Sequence, residues 1–373
     1  MTEGKKILLV SNAFYPEISP RSYRATELAK EFSRQGHSVV VITRLRNHDY
    51  SDFLTDYNNL VIKQWGKNRF PKVPELKRRP FSYISRVMSR ILLMLFEYPG
   101  IEDMMKVKRL LKYEFGYDLL ISFAVPYPVH WGVAWSRSRN HKIAETWVAD
   151  CGDPYMGDVL DSFRKPFYFA YLEKWFCRKA DFITIPIESA RPAYYTEFHQ
   201  KIRVIAQGFD FDLTKNKSTT PVNDIPTFAY AGGFLPYARD PKSLMQFLTK
   251  LDLSFKFLIF TNSPEMLDEF KIPLKEKLLV SDYIPRNDLL KILSGMDFLI
   301  NFDNNTTLNS PSKLIDYAIA NRPVLNIQRE FDGQDLLAFL KRDYSNRMKL
   351  PDVKQFHIVN ISNQFLELLN QKI

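Results

Sequence analysis

The sequence predicts an α/β protein built from two doubly wound parallel-sheet domains. Three observations carry this. At 373 residues the chain exceeds what a single core usually supports. Strand-like and helix-like segments alternate along nearly all of it, the pattern of a parallel sheet covered on both faces. A polar stretch, Asp212 to Pro226, divides the alternation into two halves.

The first strand is Lys6 to Val10, ending in a proline-containing turn, Ser11 to Arg21. Ala25, Leu28, Ala29 and Phe32 then fall at helical spacing, Gly36 ends that helix, and the β-branched run Ser38 to Thr43 is the next strand. Tyr117–Phe123 (strand), Val129–Asn140 (helix), Ile143–Val148 (strand), Phe167–Lys179 (helix) and Phe182–Pro186 (strand) continue the first half. After the break, a strand at Thr227–Ala231 opens the second half. It continues with helix Pro241–Lys250, strands Lys256–Phe260 and Lys277–Val280, helix Asn287–Ser294, strand Asp297–Asn301, helix Ser312–Ala320 and strand Pro323–Ile327. The expected domains are 1–210 and 211–355, with a C-terminal helix at 356–373 packing back toward the first. Ligands of such sheets bind beyond the carboxyl ends of the strands.

Cys151 and Cys177 are the only cysteines, too few for a disulfide framework and suited to a reducing compartment. The opening MTEGKKILLVSN has a four-residue apolar run, too short for a signal-peptide core. The longest apolar run, Ile91 to Phe96, has six residues against the roughly 20 that span a bilayer. A cytoplasmic protein, peripheral at most on a membrane's inner face, is the expectation. Of the net charge of +10, nearly all lies between residues 63 and 112, where thirteen basic residues face four acidic ones. This basic insertion has three readings: an amphipathic helix on an anionic bilayer, with Arg86, Arg90, Phe81, Tyr83 and Phe96 at the interface; a solvated helical insertion; or a nucleic-acid surface. No nucleic-acid-binding motif supports the last.

The most specific stretch is Asn309 to Val324, NSPSKLIDYAIANRPV. Ser310, Pro311, Ser312 and Lys313 at a helix start combine free N–H groups, the helix dipole and a cation into a diphosphate site. Asp316 lies on the same face one turn on, placed to accept bonds from ribose hydroxyls. This stretch resembles the nucleotide-binding signature of the retaining GT-B glycosyltransferases of family four. Ser11–Glu17, Leu28–Phe32, Gln35–Val39, Ala180–Thr184 and Val204–Asp210 are similar to further passages of that family, so the likeness covers most of the chain. His37 belongs to its G-H-x-V turn and is structural.

The resemblance implies a GT-B fold, two Rossmann-like domains facing across a cleft, and a glycosyltransferase. It would move a sugar, with retention, from a nucleoside-diphosphate sugar to a saccharide or lipid-linked acceptor in cell-surface polysaccharide or glycoconjugate synthesis. Gly232, Gly233 and Arg239 resemble the strand-end loop and basic residue that meet the donor phosphates, and Tyr283 and Ile284 stand where the base is lined. Asp150 matches the family's sugar-contacting position, with Asp153 in the same loop and His130 opening a helix nearby; these are the candidate catalytic groups. A carboxylate there would stabilise an oxocarbenium-like transition state or orient a sugar hydroxyl; turn capping and core packing are the plainer readings.

Asp210-Phe211-Asp212 has the spacing of a metal-binding D-x-D, but its place at the domain junction favours a hinge. With no zinc spacing and no P-loop, no metal and no cofactor are expected. The chain departs from the family in three places. The first glutamate of E-x7-E is missing, Ser19-Pro20 replaces a Gly-Gly pair, and Phe234 stands where an arginine is usual. A catalytically silent scaffold that binds a nucleotide or a partner is therefore the alternative.

Overall fold

The computed structural model describes residues 4–44, 47–71, 81–158, 164–211, 223–235, 239–303, 313–328 and 331–371. Ser310, Pro311, Ser312 and Asp212 thus lie outside the described residues. The chain runs β1 (Lys6–Ser11), α1 (Pro20–Arg34), β2 (Ser38–Thr43), α2 (Ser51–Thr55), β3 (Leu60–Gln64), α3 (Phe81–Phe96), α4 (Glu102–Leu111), β4 (Tyr117–Ala124), α5 (Pro128–Ser136), β5 (Ala144–Cys151), α6 (Phe169–Lys179), β6 (Phe182–Ile185) and β7 (Ile202–Val204). It continues β8 (Thr227–Ala231), α7 (Lys242–Thr249), β9 (Lys256–Phe260), α8 (Asp268–Leu274), β10 (Leu278–Ser281), α9 (Arg286–Ser294), β11 (Phe298–Phe302), α10 (Lys313–Ala320), β12 (Val324–Ile327), α11 (Gln334–Leu340) and α12 (Ile358–Glu367).

Two compact units form, one from residues 1–210 and 355–373, the other from 211–354. The first holds a parallel sheet in the order β3-β2-β1-β4-β5-β6-β7, the second one in the order β10-β9-β8-β11-β12. Strand order reverses beside β1 in one sheet and beside β8 in the other, so the crevices that can take ligands lie where β1 and β4, and β8 and β11, end.

Local sequence explains the elements. Ser19 caps α1 through its hydroxyl, which accepts from the Ser22 amide at 3.2 Å, and Pro20 supplies the preset φ of the first turn. That cap accounts for Ser19-Pro20 in place of two glycines. Ala25, Leu28, Ala29 and Phe32 bury one face of α1 against the sheet, where Ile361 and Phe365 of α12 join them. The larger of these side chains, Leu28, Phe32, Ile361 and Phe365, each contribute about 1.5–3 kcal/mol when fully buried. The second unit closes over Phe228, Phe257 and Phe298, stacked across β8, β9 and β11 with centroids 4.5 and 4.6 Å apart.

The basic stretch is not one helical insertion. Its start lies in edge strand β3, and α4 is the crossover helix into β4, with Val107 and Leu111 wholly buried. Among the described residues α3 is what is added to the doubly wound plan, and Tyr83, Ile84, Val87, Met88, Ile91 and Phe96 are exposed on it. The Tyr168 hydroxyl donates to the Leu95 carbonyl, which sets exposed Phe167 and Tyr171 beside its end. No helix among the described residues is long and apolar enough to cross a membrane.

Candidate functional site

At the carboxyl end of β8 the chain turns through Gly232, whose φ of +151° suits glycine rather than a side chain. A Cβ there would lie 2.9 Å from the Tyr230 hydroxyl and 3.8 Å from Cδ of Lys313. Gly233 lies equally close to the next loops: its Cβ would meet the Asn262 side-chain oxygen at 3.0 Å and the Tyr283 hydroxyl at 3.6 Å. The Tyr230 hydroxyl donates to the Gly233 carbonyl at 3.0 Å, and that of Tyr283 to Asn262 at 3.3 Å. The ends of β8, β9 and β10 therefore converge on the glycine pair.

Lys313, the first residue of α10, points its ammonium over the Tyr230 ring, 4.8 Å from the centroid. The residue is 9% exposed, and its amino group has no hydrogen-bond partner among the described residues. Burial, reinforced by the Arg239 charge and partly offset by Asp303, pushes its pKa down to about 7. Arg239 is half-buried and its Nε is likewise buried without a partner. Its charge also acts on Tyr230 and Tyr283, both raised by burial and held back by it. Two cations thus meet at the switch point of this sheet, with Asp303 offsetting the Lys313 charge only in part. Buried charge without a partner is costly, and an anion with several oxygens removes that cost for both.

Asp316 is held by Arg286, whose Nε and Nη2 lie 2.8 and 2.6 Å from one carboxylate oxygen. Burial pushes its carboxyl up and Arg286 opposes that. Tyr317 ties the two strands at the switch point together, its hydroxyl donating to the Ile300 carbonyl and accepting from the Ala231 amide. Sequence reasoning missed Tyr230, Asn262 and Arg286. Only Tyr317 carried a signal, as the tyrosine after the acidic residue. Ile284 packs on the core beneath α9, while Tyr283 is half-exposed at the mouth.

The three catalytic candidates of the first unit lie near one another, His130 against Asp150 and Asp153 on Arg21, but two of them are fully buried. Asp150 is 0% exposed and bound by Arg24 through two contacts of 2.6 and 2.7 Å; Thr184 donates to it at 2.6 Å. Arg24 also donates to the carbonyls of Ile205 and Ala206, so this pair cross-links α1, β5, β6 and the segment after β7. His130 is 0% exposed, 2.8 Å from Ser122 Oγ and 3.5 Å from Cys151 Sγ, and burial pushes its pKa down to about 3 against the pull of Asp150. Both are fully buried in this structure, where the sequence reading expects them to touch the transferred sugar. Asp153 is exposed and paired with Arg21 at 2.7 Å, and Arg21 crosses so close to Gly152 that a Cβ there would fall 1.6 Å from its Cζ. Asp210 of the D-x-D spacing pairs with Arg34 at 2.8 Å.

No family model and no curated protein matches the chain by sequence. Solved structures match along its whole length. A glycosyltransferase from Rickettsia africae ESF-5 is 12% identical with a TM-score of 0.61, each chain covered to 98%. The lipopolysaccharide outer core galactosyltransferase WaaB, in its apo form, is 13% identical with a TM-score of 0.60, covering 99% of this chain and all of the other. The fold is GT-B. A UDP-N-acetylglucosamine 2-epimerase from Rickettsia bellii, 13% identical with a TM-score of 0.52 over 99% and 96% of the chains, shares it. At such identity the GT-B likeness concerns architecture, and the chemistry rests on the side chains.

Proposed function

We propose that this GT-B chain is a glycosyltransferase that binds a nucleoside-diphosphate sugar in its second unit and passes the sugar to a saccharide or lipid-linked acceptor. The observation that carries the reading is the meeting of Lys313, beside Gly232, with Arg239, the Nζ of one and the Nε of the other buried without a hydrogen-bond partner among the described residues. A diphosphate leaving group is the largest charge formed in such a transfer, and fixed cations in a dry site stabilise it most. In this reading Asp316, oriented by Arg286, accepts from the ribose hydroxyls. Tyr283 and Ile284 line the base, and Ser310, Pro311 and Ser312 add to the phosphate cradle. Retention of configuration and a place in cell-surface polysaccharide or glycoconjugate synthesis follow from the family resemblance. No metal is called for, so EDTA leaves nucleotide binding intact.

We further propose that the protein works at the cytoplasmic face of an anionic membrane, through the apolar face of α3 beside Phe167 and Tyr171 and the basic residues around it.

The test is the melting temperature of the purified protein with UDP, GDP, ADP and CMP, beside Lys313→Ala and Arg239→Ala. One nucleotide raises the native midpoint and neither variant responds to it; absence of any shift at millimolar nucleotide refutes the donor site. A second reading, a nucleotide-binding scaffold without transfer, is favoured by the burial of Asp150 and His130. It predicts the same shift but no hydrolysis or transfer of the sugar.

A further inference from the structure

At the switch point of the first sheet a cavity of about 530 Å³ opens where β1, β2, β3 and β4 end. Asn12 follows β1, Arg44 follows β2, Asn68 and Arg69 lie beyond β3, and Pro126 lies beyond β4. Of two buried carboxylates in the first turn of α4, Asp103 lines the cavity and Glu102 holds the loop that lines it. Glu102 accepts from the backbone amides of Arg69 and Phe70 at 2.7 and 2.8 Å, and Lys106 neutralises it at 3.0 Å. Asp103, 1% exposed, accepts from the side-chain amides of Asn12 and Asn68; burial raises its carboxyl, against those amides and the nearby Arg44 charge. Both acids are thus spent on holding the loops.

The charge left over is positive. Arg44 and Arg69 line the cavity, and neither guanidinium makes an ion pair or a side-chain hydrogen bond among the described residues. Beside them Phe70 stacks on Tyr98, centroids 5.6 Å apart, and Pro71, Pro99 and Pro126 complete an apolar rim. A guanidinium fork matches the oxygens of a phosphate or carboxylate, and ring faces beside amides suit the C–H and hydroxyl faces of a sugar. We propose that this cavity binds an acceptor saccharide through an anionic group, a phosphate or a carboxylate, held by Arg44 with help from Arg69. The role as acceptor site rests on the transferase reading above; the anion site itself does not.

The experiment measures dissociation constants on the full chain for a glucuronic-acid disaccharide, for its neutral glucose counterpart, and for farnesyl diphosphate against farnesol. Each is repeated with Arg44→Gln, Arg69→Gln and Arg44→Lys, all checked for folding by circular dichroism, and with Lys313→Ala to silence the second unit. The expected result is at least a tenfold preference for one anionic probe over its neutral partner. That preference survives Lys313→Ala, is partly kept by Arg44→Lys and is lost in Arg44→Gln. The sugar acid identifies a carboxylate source, the farnesyl diphosphate a lipid-linked phosphate. Equal binding of anionic and neutral probes, no binding of either anion at millimolar concentration, or a preference untouched by both glutamine variants overturns the proposal. If nucleotides fail to bind while the Arg44-dependent preference holds, the transferase reading falls and the anion site stands.

Discussion

Lys313→Met separates the cost of the second unit's cation from its use. Methionine keeps the length and apolar stem over Tyr230 and removes the charge. The ammonium's pKa falls from 10.5 to about 7, so well below pH 7 both the folded and unfolded chains carry the proton and the folded chain bears the full burial cost. As pH rises toward 10.5 the folded chain sheds its proton first and the cost disappears. The nucleotide-free protein therefore gains stability between about pH 7 and pH 10. The shift sets a ceiling of about 5 kcal/mol. Relaxation around the charge and the loss of the contact with the Tyr230 ring, worth about 1 kcal/mol, both reduce it. A net gain of about 2 kcal/mol raises the midpoint of Lys313→Met by roughly 4–8 °C at pH 6.5. The same substitution abolishes the nucleotide-induced shift. At pH 8 the native protein takes up about 1 proton on binding nucleotide, because the diphosphate restores the ammonium. Titration calorimetry in two buffers of different ionisation enthalpy reads that uptake. A variant that melts with the native protein at pH 6.5 and still answers to nucleotide refutes the reasoning.

Two other outcomes follow. Asp150→Asn leaves Arg24 buried without its anion and costs about 3–5 kcal/mol in urea unfolding, while nucleotide affinity per folded molecule stays within twofold; a large loss of affinity at unchanged stability would return Asp150 to the active site. Ser at both Tyr83 and Met88 lowers co-sedimentation with phosphatidylserine vesicles several-fold and leaves the nucleotide shift untouched; equal sedimentation of the two proteins removes the membrane reading.

The strands were legible because buried parallel strands are continuous apolar runs: Lys256–Phe260 is read to the residue, and Thr227–Ala231 likewise. β3 and β7 were not, since β3 alternates as a half-exposed edge and β7 is three residues long. Helix α4 hid inside a run of charges because its buried Glu102 is satisfied by Lys106 and backbone amides, and its buried Asp103 by the side-chain amides of Asn12 and Asn68. In the candidate site, Lys313, Arg239 and the glycines were visible as a motif. Asn262 and Arg286 were invisible because they belong to loops after other strands, which only the sheet brings near. Asp150 and His130 show the converse. A polar residue near a strand end reads as a ligand group, and only the fold tells that Arg24 or Ser122 has already satisfied it.

The first unit is sewn from two separate lengths of chain. Phe209 donates to the Phe356 carbonyl at 2.9 Å and its own carbonyl accepts from Ile358, so the segment going out and the segment coming home run side by side as one short ladder. Everything from Phe211 to Lys354 is, topologically, a loop hung on that ladder. Joining Asp210 directly to Gln355 would leave the first unit with its full core. Stopping synthesis at Lys354 would strip Ile358, Ile361 and Phe365 from beneath α1. The first unit is therefore complete only after the second has already been made.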